Sequence, residues 1–162
     1  MESTVSLLVF VLACAAAATP GIVFRPGDWY RRLAKPSWRP PDWLFGPVWF
    51  VLYISIAVSG WLVWRVAGNE GASLALTVYA LHLVLNGLWS VVFFRLRRPG
   101  WALAEIVLLW FSILATMILF HSVNATAAYV LLPYLCWVTF AVALNFRIWS
   151  LNSARAIQGE HL

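Results

Sequence analysis

The sequence predicts an all-α integral membrane protein: a single bundle of five transmembrane helices with a structured first loop. Three observations predict it. Hydrophobic residues make up 63% of the 162-residue chain and charged residues only 10%, which leaves too little polar surface to cover a soluble globule. A bilayer core of about 30 Å takes roughly 20 apolar residues per helix, and five stretches reach that length. The cations fall in short clusters between those stretches rather than along one polar face. A net charge of +5 in that arrangement reads as topology signals, with the lipid bilayer and not nucleic acid as the partner.

The first stretch runs from Ser3 to Phe24. Leu7 to Ala18 followed by small residues has the look of a signal-peptide core, and Val11-Leu12-Ala13-Cys14 faintly resembles a lipoprotein cleavage box. The basic leading segment is missing and Glu2 is the one charge before the span, so a retained helix is expected, entering with its N-terminus outside. Ala13 and Ala17 form a small-xxx-small pair suited to helix association or dimerisation. The connection from Arg25 to Leu44 carries Pro26, Pro36, Pro40 and Pro41 together with Trp29, Trp38 and Trp43. That is too aromatic for a floppy linker, and it is predicted to fold back as a lid.

The remaining spans are placed at Phe45 to Trp64, Leu74 to Phe94, Trp101 to Phe120 and Ala125 to Trp149. Between them, Gly68-Asn69-Glu70-Gly71, Arg97-Arg98-Pro99-Gly100 and His121-Ser122-Val123-Asn124 are short connections that imply neighbouring antiparallel helices. Ten of the eleven cations, Arg25, Arg31, Arg32, Lys35, Arg39, Arg95, Arg97, Arg98, Arg147 and Arg155, then share one side, with Arg65 opposite. The positive-inside rule puts that side, and the C-terminus, in the cytoplasm. Trp64, Trp101 and Trp149, near span ends, suit the interfacial belt.

Polar residues inside spans carry the functional signal, because asparagine and histidine are expensive to expose to lipid. His82, Asn86 and Trp89 share a face of the third span at i, i+4 and i+7 and should point into the bundle. Trp49 and Tyr53 repeat the spacing in the second span, and Pro133, Trp137 and Ala141 do so in the fifth, where Pro133 is expected to kink the helix. Flat indole and phenol walls suit a large planar ligand. Glu105 is expected to pair with Arg97 or Arg98 across the turn before the fourth span. Cys14 and Cys136 sit alone in separate apolar stretches, which gives no disulfide framework or metal site and reads as two small buried hydrophobes. His82 and His121 lack a haem-attachment motif or a paired histidine on their own span. No triad signature and no glycine-rich phosphate loop appears, so hydrolysis and nucleotide chemistry have no support.

These motifs occur in order along the chain: Trp29-Tyr30, Lys35-Pro36-Ser37-Trp38-Arg39-Pro40-Pro41-Asp42-Trp43, and Gly46-Pro47-Val48-Trp49 with Tyr53 a turn later. Asn86-x-x-Trp89, Phe93-Phe94, Gly100-Trp101-Ala102-Leu103, Pro133-Tyr134-Leu135-x-Trp137 and Leu144-Asn145 follow. Over residues 20 to 149 the chain resembles the translocator protein family, also called tryptophan-rich sensory proteins or peripheral-type benzodiazepine receptors. The resemblance implies a five-helix bundle, commonly a homodimer, whose cavity beneath the first loop binds porphyrins, haem and isoquinoline-type ligands. It implies ligand-pocket roles for Trp49, Tyr53, Asn86, Trp137 and Ala141, and a lid role for Trp38, Pro40 and Pro41.

Two departures qualify that picture. Animal members bind sterols through a motif ending in Leu-Asn-Tyr before a basic residue, and Leu144-Asn145-Phe146-Arg147 lacks the tyrosine hydroxyl, which argues against sterol. His82 stands where glutamine or asparagine is familiar and adds a titratable group. The expected function is a tetrapyrrole receptor, transporter or sensor, with an apolar slot for the macrocycle and a basic loop attracting its propionates. Family members reported to degrade protoporphyrin in light implicate Trp49 and Trp137; a membrane scaffold is the remaining reading. Hydrophobic helices favour the bacterial inner membrane, while the resemblance also allows the outer membrane.

Overall fold

The computed structural model describes residues 2–24 and 26–157. Arg25, and the side chains of Glu2, Ser3, Asn69 and Arg155, lie outside the described residues. Five helical segments are long and apolar enough to cross a membrane: Thr4–Val23, Asp42–Gly68, Ser73–Arg95, Pro99–Val123 and Ala125–Ala154. No strand is present among the described residues.

The first span is α1 (Glu2–Val23). Its Ala17 packs partly against the bundle, while Ala13 faces outward. Gly87 lies so near that a Cβ there would stand 3.1 Å from the Ala17 carbonyl. The connection after α1 does fold back, around a short helix, α2 (Asp28–Arg32). Tyr30 and Leu33 are buried among Phe93, Ala102, Leu144 and Ile148. The carboxamide of Asn152 accepts from the Ala34 amide at 2.9 Å and donates to the Ala34 carbonyl at 3.0 Å. It donates at 2.6 Å to the Ile148 carbonyl as well.

The second span, α3 (Asp42–Gly71), begins earlier than Phe45 because Pro41 forms its N-terminal boundary and Asp42 complements the helix dipole. Gly68, at φ +62°, breaks the regular helix there, a conformation glycine adopts without steric cost. After Ala72, α4 (Ser73–Ser90) begins at once, so the expected four-residue loop is little more than a bend. Chain neighbours are not always the closest neighbours in space: α1 packs against both α3 and α4 more extensively than those two pack against each other. The end of α4 widens into a π turn, Val91–Arg95. Such insertions are rare and leave little trace in a sequence.

Pro99 opens α5 (Pro99–Val123), where its missing N–H has no intrahelical partner to lose. The helix continues through the expected connection until Asn124, whose side chain caps Ala127. The fifth span is divided into α6 (Ala125–Val130) and α7 (Leu132–Ile157) at Leu131. This is the break expected from Pro133, which cannot donate to Tyr129. Hydrogen bonds from Asn145 to Pro99 and between Asn152 and Ala34 tie the start of α5, the connection and the end of α7 into one end of the bundle.

Two side-chain expectations need correcting. Glu105 falls on the buried face of α5 with Ala102, Ile106 and Leu109, while Arg97 and Arg98 are exposed before the helix begins. Both Glu105 carboxylate oxygens are enclosed without a hydrogen-bond partner, so the pair with those arginines does not form. Cys14 is buried, but Cys136 is exposed on the outer face of α7.

Candidate ligand cavity

Beneath the folded connection the helices part around a cavity of about 450 Å³. Its walls follow from the helical registers. Trp49 and Tyr53 project from α3 together with Phe45 and Asp42; Asn86, Trp89 and Phe93 come from α4 and its π turn; Ile106 and Leu109 come from α5. Trp137, Ala141, Leu144, Asn145 and Ile148 descend one face of α7, and Ala18, Gly21, Pro26 and Tyr30 close the side toward α1 and the connection. Among the described lining residues Asp42 is the one charged side chain.

The aromatic walls brace one another. Trp49 lies 5.5 Å from Tyr53 and 6.2 Å from Tyr134, and Trp137 meets Phe45 edge-on at 5.6 Å. Trp89 stacks on Phe93 at 5.1 Å. Trp137 also forms part of an outer groove with Pro47, Val51, Pro133 and Phe140, so this indole stands between the cavity and the lipid-facing surface.

The polar groups of the wall are held in fixed orientations. The Tyr53 hydroxyl donates to Asn86 Oδ1 at 2.5 Å, and Asn86 Nδ2 donates to the Tyr134 hydroxyl at 2.9 Å. Those two bonds hold the carboxamide in place and use one N–H and one lone pair, leaving one of each for anything in the cavity. Trp89 Nε1 donates to Asn145 Oδ1 at 3.1 Å, and Asn145 Nδ2 in turn donates to the Pro99 carbonyl at 2.8 Å. This relay satisfies buried donors that lipid could not.

At the mouth, Tyr30 carries the Lys35 ammonium 4.6 Å above its ring, and Arg39 Nη1 donates to its hydroxyl at 3.4 Å. Arg39 also pairs with Asp42. Burial pushes the Tyr30 phenol up, with the Arg39 guanidinium opposing it. Burial and then the Arg39 charge draw the Lys35 ammonium down, and Asp42 opposes both.

Of the residues singled out in the sequence, the structure brings Trp49, Tyr53, Asn86, Trp89, Trp137 and Ala141 together on the wall. It leaves four outside. His82 lies a turn away from Asn86, 1% exposed, with its ring edge-on to Tyr79 at 4.9 Å and 5.8 Å from Tyr134. Trp38 rests its edge on Phe140, outside the wall, at 5.7 Å. Pro40 and Pro41 shape the entry into α3 and do not reach the cavity.

Sequence reasoning missed Asn145 and Tyr134 as members of the polar wall and its support, and Tyr30 and Asp42 at the mouth. Asn145 was legible as the next i+4 step after Trp137 and Ala141. The others depend on tertiary contacts.

The fold and its five spans define a multi-pass integral membrane protein. The chain belongs to the TspO/MBR family, whose model matches residues 6–150. It is similar to Protein CrtK of Rhodobacter capsulatus, at 45% identity over 148 residues, covering 89% of this chain and 91% of that protein. The Tryptophan-rich sensory protein of Cereibacter sphaeroides is 41% identical, covering 90% of each chain. The human Translocator protein is 38% identical, covering 88% of each.

Proposed function

We propose that the cavity binds tetrapyrroles such as protoporphyrin and haem, and that the protein serves as their membrane receptor, transporter or sensor. The observation that carries this reading is the form of the cavity: flat indole and phenol walls around an apolar space, one oriented carboxamide, and cations at the mouth. A planar macrocycle with acidic substituents matches each part of that arrangement. The clustering of described cations at the loop end supports a cytoplasmic mouth under the positive-inside rule, with the N-terminus outside. A bacterial inner-membrane location and a homodimeric assembly are parts of the same proposal, and Phe146, which lacks the tyrosine hydroxyl, argues against sterol as its ligand.

The test is a tryptophan-fluorescence titration of the detergent-purified protein with protoporphyrin, corrected for inner-filter effects. Saturable quenching that Trp137→Phe or Asn86→Ala weakens is expected. Linear quenching, indifferent to both substitutions, would refute the pocket and leave only partitioning. A light-driven degradation of bound porphyrin is a secondary activity favoured by the presence of both Trp49 and Trp137 on the wall. Illuminated turnover undiminished in the Trp49→Phe/Trp137→Phe double variant would remove the indoles from it.

A further inference from the structure

We propose that Arg39 is the anchoring point for a ligand carboxylate, and that Asp42 occupies this anchor in cis until an acidic ligand displaces it. The inference rests on the tetrapyrrole reading of the cavity and goes beyond it. It assigns a subsite, and it makes the preferred ligand a planar apolar acid rather than the corresponding neutral molecule.

The wall distributes charge unevenly. Its deep part offers neutral groups only, Tyr53, Asn86 and Trp89 among them, and Asp42 at the mouth is the one charged lining residue described. An anionic substituent placed deep would lose its hydration without a counter-charge. It is therefore directed to the mouth, where Tyr30 and Asp42 both line the cavity and both contact Arg39. The guanidinium stands immediately behind two wall residues.

The resident pair is unequal. The Arg39 side chain is 23% exposed and that of Asp42 is 67% exposed. Asp42 can turn toward water at small cost, whereas Arg39 is held against the Tyr30 ring, 5.9 Å from its centroid. Both contacts of Arg39 with these residues use Nη1, which leaves further N–H donors of the guanidinium fork for an incoming carboxylate. Two other cations of the connection are otherwise engaged. Lys35 donates to the Arg31 and Leu33 carbonyls, and Arg31 is paired with Asp28.

A carboxylate already rests on Arg39 in this structure, and it belongs to the cavity wall. Ligand acid and Asp42 therefore compete for one cation, which gives the two residues opposite signs in a binding experiment. Exposed pairs of this kind hold with roughly two- to fivefold preference, so removal of Asp42 should release an effect of that size.

The test titrates the full-length protein with protoporphyrin and with its dimethyl ester, in the same detergent at neutral pH. The quantity read is the ratio of variant to wild-type Kd for each ligand, which cancels their different partitioning. Arg39→Gln should weaken the diacid about three- to tenfold and leave the diester unchanged. Arg39→Lys, which keeps the charge and loses the fork, should fall between wild type and Arg39→Gln. Asp42→Asn should tighten the diacid about two- to fivefold and leave the diester unchanged. Added salt should shrink both diacid effects. Equal ratios for acid and ester in Arg39→Gln, or an Asp42→Asn variant that weakens the diacid, would overturn the subsite. In those outcomes saturable binding of both ligands, still sensitive to Trp137→Phe, would leave the cavity reading standing. Failure of the diacid to saturate in the wild-type protein would overturn the cavity reading and the subsite with it.

Discussion

The half of the bundle beneath the folded connection and the half away from it use aromatic side chains in opposite ways. In the closed half, Tyr79 stacks on Phe120 at 5.7 Å and meets Phe10 edge-on at 5.8 Å. Gly60 leaves room for those rings: a Cβ there would stand 2.8 Å from both Phe10 and Tyr79. Ile56, Val63, Ile113 and Phe120 are wholly enclosed. In the open half, wall rings are braced sideways by their neighbours instead, Trp89 by Asn145 and Phe93, and Trp49 by Tyr53 and by Tyr134 behind it. A packed interior closes unless its walls are held apart. Bracing along the wall is what lets the same helices enclose about 450 Å³ at one end and close up at the other.

The contrast is broken most severely in the closed half. Phe120→Ala should cost about 3–5 kcal/mol, read as a large fall in the thermal midpoint, with protoporphyrin affinity little changed in the protein that remains folded. An equal loss of affinity would mean that the two halves do not act separately. Asn86→Ala should show the reverse balance. It removes the hydrogen bonds from Tyr53 and to Tyr134, for about 1–2 kcal/mol of stability in a membrane interior. Its effect on ligand Kd should be larger relative to its effect on stability, near tenfold by the worth of one buried hydrogen bond.

The two halves also differ in how well they can be read from sequence. Spans were legible because lipid demands long apolar helices, and the Pro133 break followed from a missing N–H. The six wall residues Trp49, Tyr53, Asn86, Trp89, Trp137 and Ala141 lay on single helical faces, so periodicity grouped them before any contact was known. The same rule overreached at His82, which shares the face of Asn86 but lies beyond the floor, behind Tyr134. Glu105 shows a different failure: proximity in sequence to Arg97 and Arg98 said nothing about which way α5 turns its carboxylate. The π turn and the grip of Asn152 on Ala34, 118 positions apart, depend on tertiary structure that no local pattern encodes.

That grip sharpens the comparison, since it belongs to the open half alone. Asn152→Ala removes the bonds to both backbone groups of Ala34. Amide exchange at Ala34 should rise by about tenfold or more, as a local opening rather than a global one. Ligand dissociation should accelerate with only a small change in thermal midpoint. Unchanged exchange at Ala34 would show that Tyr30 and Leu33 hold the connection without help from α7.

The smallest effect is expected at His82. It is enclosed between Tyr79 and Tyr134 and absent from the cavity wall, so a polar replacement reaches the ligand only indirectly, through Tyr134 and the Asn86 bonded to it. His82→Gln should therefore shift protoporphyrin Kd by no more than about twofold, the range expected of sites without direct contact. Because the imidazole is enclosed and off the cavity wall, its removal should leave the pH dependence of binding as in the wild type. A tenfold shift, or a pH profile altered by this substitution, would extend the floor of the cavity one helical turn deeper than Asn86.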